Sequence, residues 1–235
     1  MSEKSGTCVI MQPFFLPWAG YFNLISDSDH FVFLTDAEYQ KGSWHNRNNI
    51  LVQGNKSWIT CPIQRDGLHT PLDKVRLQDD DRWRIKLTRT LEQNYKKSPF
   101  FIDLECVLDA ILESNGLSLV ELNIKLIKLI AASLGLVTQF SESRDLNIGL
   151  DRSNKLHEIV RVNNCGRYLS PLGAKDYLYE DNVLPSATIS LDFQDFTPKP
   201  YVQFNSPTFI SHLSIFDVIS NLGIERTSCY VRSSI

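Results

Sequence analysis

The sequence predicts an α/β protein: a Rossmann-like sheet with parallel character, covered by helices and interrupted by a helical middle segment. Three observations predict it. The chain opens on a short apolar run, residues 8–11, that stops at Gln12 and Pro13, and a second run, residues 29–35, follows after one helix-spaced stretch. The middle of the chain carries successive amphipathic helical patterns, and the later part alternates short β-type runs with helical ones.

Each element has a local reason. Residues 8–11 (C-V-I-M) read as a buried strand that ends where proline withdraws its backbone donor. Beyond Pro17, residues 19–26 have helical spacing, with Tyr21, Leu24 and Ile25 on one face, and residues 29–35 form the second strand. Residues 57–63 predict a third strand and residues 74–77 a short fourth. Residues 80–95 predict a helix whose first turn holds Asp79, Asp80 and Asp81, suited to the positive end of its dipole. Pro99 interrupts, and residues 101–114 continue as a helix with the stripe Ile102, Val107, Leu108, Ile111 and Leu112. Ser118 stands three residues before Glu121, a capping-box spacing that opens the strongest helical pattern, through Leu136, which Gly135 terminates. A strand over 137–140, a helix over 152–163, strands at 168–169, 189–193 and 201–204, and a last helix near 215–221 capped by Gly223 complete the reading. With no linker, low-complexity run or repeat, residues 1–235 read as a single domain without a defensible internal boundary.

Composition narrows function. A 43% hydrophobic, 22% charged chain with net charge −3 has no basic field for nucleic-acid phosphates, so no nucleic-acid partner is expected. Cys8, Cys61, Cys106, Cys165 and Cys229 are odd in number and lack C-x-x-C spacing, which predicts packing thiols rather than disulfides or zinc ligands; Cys165, beside Gly166, has the better claim to exposure. His30, His69, His157 and His212 are isolated, so no metal is predicted. The start of the chain does not read as a signal or transit peptide, and no apolar stretch reaches the ~20 residues that cross a bilayer, so a cytoplasmic protein without a membrane span is expected.

Three segments carry candidate chemistry. The loop Q-P-F-F-L-P-W-A-G-Y-F, residues 12–22, is stiffened by Pro13 and Pro17, and Gly20 permits close backbone approach beside a helix N-terminus; its aromatics also suit a core turn. The segment 36–50 begins at the carboxyl end of the second strand, where open α/β sheets bind ligands, so Asp36 and the first loop are expected to share one cleft. There Lys41 and Arg47 can pair with phosphate or carboxylate, Asn46 can read a sugar or amide, and His45 can serve as a general acid or base. A solvated polar turn is the plainer reading. In the third segment, residues 168–178, Ser170, Gly173 and Lys175 follow a strand and form either a phosphate turn or an ordinary strand-helix turn. Gln203 lies on one face of the late Y-V-Q-F run.

Read in order, Q-P-F-F-L-P-W-A-G-Y-F, S-D-H-F-V-F-L, W-H-N-R-N, Y-L-S-P-L-G-A-K-D-Y-L, Y-V-Q-F and S-I-F-D-V-I-S-N-L-G resemble the WbqC-like proteins along essentially the full chain. The resemblance implies a bacterial protein of surface polysaccharide, O-antigen or lipopolysaccharide gene clusters. Two positions depart from the expected pattern: Glu38 stands in place of a glutamine before Tyr39, and Leu87 in place of a histidine. The order strand, polar-aromatic loop, Gly-Tyr at a helix start and second strand is also similar in outline to HIGH-type nucleotidyltransferases and ligases, with Trp18 to Tyr21 in place of His-x-Gly-His.

These readings converge on a transferase that places an acyl or aminoacyl group on an amino sugar or nucleotide sugar, with an acyl thioester or a nucleotide as co-substrate. Asp36 and His45 are its candidate catalytic residues. Gln12, Pro13, Trp18, Tyr21, Lys41, Asn46, Arg47, Ser170, Lys175 and Gln203 are its candidate binding residues. The alternative is a non-catalytic module that holds a sugar nucleotide or a partner enzyme, and self-association into a homo-oligomer is compatible with either.

Overall fold

Residues 6–64, 70–150, 152–186 and 188–232 are described by the computed structural model of the chain; His69 and residues 1–5 lie outside the described residues. In chain order the first half comprises β1 (Thr7–Met11), α1 (Ala19–Ser26), β2 (His30–Phe33), β3 (Arg47–Val52), β4 (Asn55–Thr60), α2 (Arg82–Tyr95) and α3 (Glu105–Leu112). It continues with α4 (Leu119–Ser133), β5 (Gln139–Glu142), α5 (Arg152–Val162), β6 (Arg167–Ser170), α6 (Lys175–Asp181), β7 (Ser190–Phe193) and α7 (Ile215–Arg232).

The apolar runs of β1, β2 and β6 are buried on both faces, as parallel strands under helical cover are, while the edge strands β5 and β7 are only partly covered. They form a five-stranded sheet in the order β5-β2-β1-β6-β7, and every pairing is parallel. Alternate residues feed two cores. Val9, Phe31, Phe33 and Leu169 join the larger one, with α1, α4 and α7, while Cys8, Ile10, Val32 and Tyr168 join a second with Leu156, Ile159 and Leu178 of α5 and α6. The chain leaves β1 towards β2 and β5, then crosses to β6 and β7 on the other side. This is a Rossmann-like strand order, and its switch point lies between β1 and β6, where such sheets place ligands beyond the strand carboxyl ends. Gln12 and Ser170 stand at those two ends.

The segment between β2 and β5 carries the helical middle, α2 to α4. Ser118 caps α4 as the spacing predicts: its hydroxyl accepts from the Glu121 N–H, and the Glu121 carboxylate accepts from the Ser118 N–H. The same segment also holds the antiparallel hairpin β3–β4, whose first strand begins inside the stretch expected to be a polar loop. Its two-residue turn places Gln53 at φ 49° and Gly54 at φ 76°, the left-handed pair that matches strand twist.

Several expectations are corrected. Residues 74–77 form only isolated bridges, Ile63 with Leu77 and Arg76 with Ser118, and not a strand. Residues 201–204 are no strand either: Tyr201 and Gln203 point inward to Asp217 while Val202 is 89% exposed, an alternation without a ladder. The helix expected over 101–114 starts as a 3-10 turn, Phe101–Leu104. α6 follows the strand-helix turn read at residues 168–178, but its short polar sequence K-D-Y-L-Y-E-D has too little periodicity to give it a range. The last helix runs past Gly223, which breaks it at φ 75° and whose missing Cβ would lie 2.8 Å from the Phe100 ring. Cys165 is buried in the second core, not exposed.

Candidate functional site

The loop after β1 and the start of β3 are tied together by buried hydrogen bonds. The Gln12 Oε1 lies 2.9 Å from His45 Nε2, and the Phe15 N–H donates to the Trp44 carbonyl at 3.1 Å. Asn48 donates from one amide nitrogen to the Phe15 and Leu16 carbonyls, at 3.0 and 2.8 Å, and so pins a turn in which Leu16 holds the unfavourable φ of 41°. Asn123 of α4 reaches the same junction, donating to the carbonyls of Pro13 and His45 at 2.9 and 2.8 Å. The hydroxyl of buried Tyr21 donates to the Gln12 carbonyl at 3.0 Å.

His45 is fully buried between the rings of Phe14 and Tyr39, and burial pulls its pKa down to about 4, so the imidazole is neutral at pH 7. With Gln12 Oε1 accepting, Nε2 carries the proton and Nδ1 keeps a lone pair that meets no hydrogen-bond partner. Asn46 accepts from the Tyr39 hydroxyl at 3.1 Å and donates to the Cys61 carbonyl at 2.9 Å. Gln12, Pro13, Tyr21, His45 and Asn46 therefore share one region.

Trp18 and Arg47 make their ring contacts with different residues. The Trp18 indole stacks on His212 at 4.7 Å and meets Phe196 edge-on. It also occupies the space that a side chain at Gly20 would need, since a Cβ there would fall 2.2 Å from the ring. The glycine thus admits the protein's own indole against the start of α1.

Asp36, three residues beyond β2, is partly exposed. Its carboxylate accepts from the Ser143 hydroxyl at 2.6 Å and pairs with Lys155 of α5. Burial alone would raise its pKa, but the Lys155 and Ser143 hydrogen bonds outweigh it and hold the carboxyl below the ordinary carboxylate range. The group is a fixed anion at neutral pH. Neither Lys155 nor Ser143 was among the expected site residues; each reaches Asp36 from more than a hundred residues away, which no local pattern reveals.

Arg47 opens β3 with its guanidinium 4.2 Å from the Trp58 ring centre and a donor on the Gly42 carbonyl, next to exposed Lys41. Trp44 stands 5.0 Å from Trp58, and both rings are exposed. Ser170 closes β6 at the switch point, fully buried, and Lys175 at the start of α6 lies over Tyr179 and Phe193. Gln203 is elsewhere: it donates to Asp217 at 2.9 Å and exchanges hydrogen bonds with the Ile210 backbone, inside a network that Tyr95 and Tyr201 complete. Leu87 is packed in the main core and Glu38 is exposed. Among the described residues no group of three or more His, Cys, Asp or Glu could hold a metal ion, and no helix is long and apolar enough to cross a membrane.

A family model described as the WbqC-like protein family matches residues 12–229. The "Uncharacterized protein Rv1507c" of Mycobacterium tuberculosis is 30% identical over 218 residues, covering 92% of this chain and 94% of the relative. No solved structure matches.

Proposed function

The chain belongs to the WbqC-like protein family, and from that premise we propose that it is a transferase that places an acyl or aminoacyl group on an amino sugar or nucleotide sugar during surface polysaccharide assembly. The observation that carries this reading is the Asp36 carboxylate, kept ionised by Lys155 and Ser143 just beyond the carboxyl end of β2. A carboxylate of low pKa is a weak base and a good anchor for an amine. It orients the neutral acceptor nitrogen for attack on a thioester carbonyl: the C–N bond forms, the C–S bond breaks, the sulfur leaves as thiolate, and the proton lost by the amine passes through solvent to that thiolate. His45, neutral and sealed, fixes Gln12 at the switch point and so acts as a positioning residue. In this reading Ser170 and Lys175, at the end of β6 and the start of α6, contribute to the same site.

A binding module without turnover is the second reading, and one observation favours it: Asp36 is already paired and His45 already enclosed. Calorimetric titration with amino-sugar nucleotides, paired with mass spectrometry of mixtures containing an acyl thioester, separates the two. Transfer by the native chain, lost in Asp36→Asn with nucleotide-sugar affinity retained, supports the transferase. Binding without product from any donor and acceptor pair supports the module and overturns the transferase.

A further inference from the structure

Of the aromatic candidates for ligand binding, Tyr21 is sealed in the core and Trp18 is engaged by His212 and Phe196. The available rings are on the hairpin. Trp44 and Trp58 remain 40% and 48% exposed at a centroid separation of 5.0 Å. Trp58 is held in place by the Arg47 guanidinium at 4.2 Å, and the register pairs it with buried Asn49, so its orientation is set by the strand. Between Lys41 and Thr60 the sequence has three cations, Lys41, Arg47 and Lys56, and no acidic residue, in a chain of net charge −3. Lys56 stands two residues from Trp58 on the exposed side of β4, and Lys41 adjoins Gly42, whose carbonyl accepts from Arg47.

Two exposed indoles beside an arginine fit a ligand that joins a flat ring to an anion. We propose that the outward face of the β3–β4 hairpin is a nucleotide-binding platform, on which a base stacks against Trp44 and Trp58 while a phosphate pairs with Arg47. A sugar alone would use the rings and leave the cations idle; an inorganic anion would do the reverse. This rests on the reading above that the ligand is a nucleotide sugar, and it assigns the part of that ligand held away from Asp36.

The chain has four tryptophans, so indole-labelled protein gives one N–H signal per ring, assigned through Trp44→Phe and Trp58→Phe. Trp83 on α2, whose indole donates to the Gln78 carbonyl before that helix, is the internal control. Uridine, guanosine and thymidine diphosphates, N-acetylglucosamine and inorganic phosphate are titrated separately. At least one diphosphate should move the Trp44 and Trp58 signals and leave Trp83 still, and Trp58→Ala and Arg47→Ala should each weaken that binding about tenfold or more at unchanged melting temperature. The platform is overturned if no diphosphate moves these signals, if the free sugar or phosphate moves them equally, or if they follow protein concentration alone, which marks contact between copies. Nucleotide binding here with no acyl transfer sinks the transferase and leaves the platform standing; transfer with a KM for nucleotide sugar that ignores Trp58→Ala does the opposite.

Discussion

Two neighbouring regions draw on the same kinds of residue and use them in opposite ways. At the junction of the first loop with β3, buried His45, Asn48 and Asn123 and half-buried Gln12 are bonded to each other or to backbone carbonyls. A few residues along, Asp36, Lys41, Arg47 and Trp58 have a side facing solvent. Position along the hairpin makes the difference: on β4 Lys56, Trp58 and Thr60 are exposed while Ile59 between them is buried, and on β3 only the ends, Arg47 and Val52, are partly open, with Asn48 to Leu51 buried on both faces. A polar cluster in sequence is therefore two objects in space, an internal brace and an external surface. Substitutions should separate them by what is lost, stability in the first and ligand in the second.

The largest effect is expected at Asn48. Asn48→Ala removes two bonds to the loop carbonyls and the one its Oδ1 accepts from the Asn49 N–H, all in the interior. Stranded buried carbonyls cost on the order of 1–3 kcal/mol each, so a loss of roughly 3–5 kcal/mol should appear in denaturant unfolding. A cost under about 1 kcal/mol would mean that the loop is not braced from β3.

His45 gives the next effect and a sign. Its pKa of about 4 lies below the ordinary 6.5, so the unfolded chain binds a proton that the folded chain refuses between those values. The contribution of the neutral imidazole is complete above about pH 6.5 and is lost as pH falls towards 4, by about 3 kcal/mol in all. The stability difference between the native chain and His45→Gln should therefore shift by that amount across the window. A pH-independent difference would show that the ring titrates as though in water.

The sequence disclosed the sheet better than the site, for physical reasons. Buried parallel strands announce themselves as unbroken apolar runs, and α4 carries its capping box in plain view. β3 hides because it opens with Arg47, Asn48 and Asn49, residues that strands disfavour, and because its Gln-Gly turn is a weaker signal than Asn-Gly. Asp36 could be placed from the rule that ligands sit at strand ends; its partners Ser143 and Lys155 depend on β5 and α5 arriving beside β2. The exposed indoles were hidden for the reverse reason: Trp44 and Trp58 look like core residues until the register of the hairpin is known.

Asp36→Asn should cost less than about 1 kcal/mol, because its ion pair with Lys155 is partly open to solvent and screening discounts it. Its loss should be seen in turnover instead.

The smallest stability effect is expected at Trp58, and that is what makes it the sharpest comparison with Asn48. Trp58→Ala removes an exposed ring and its stacking on Arg47, while the ladder of β4 and the inward face carried by Ile59 stay intact. An exposed cation-π contact contributes about 0.5–1 kcal/mol, part of which Arg47 regains through hydration. The melting temperature should move by no more than roughly 2 °C in a chain of this length. A fall comparable to that of Asn48→Ala would make the outward face a brace like the inward one, and the division between the two regions would vanish.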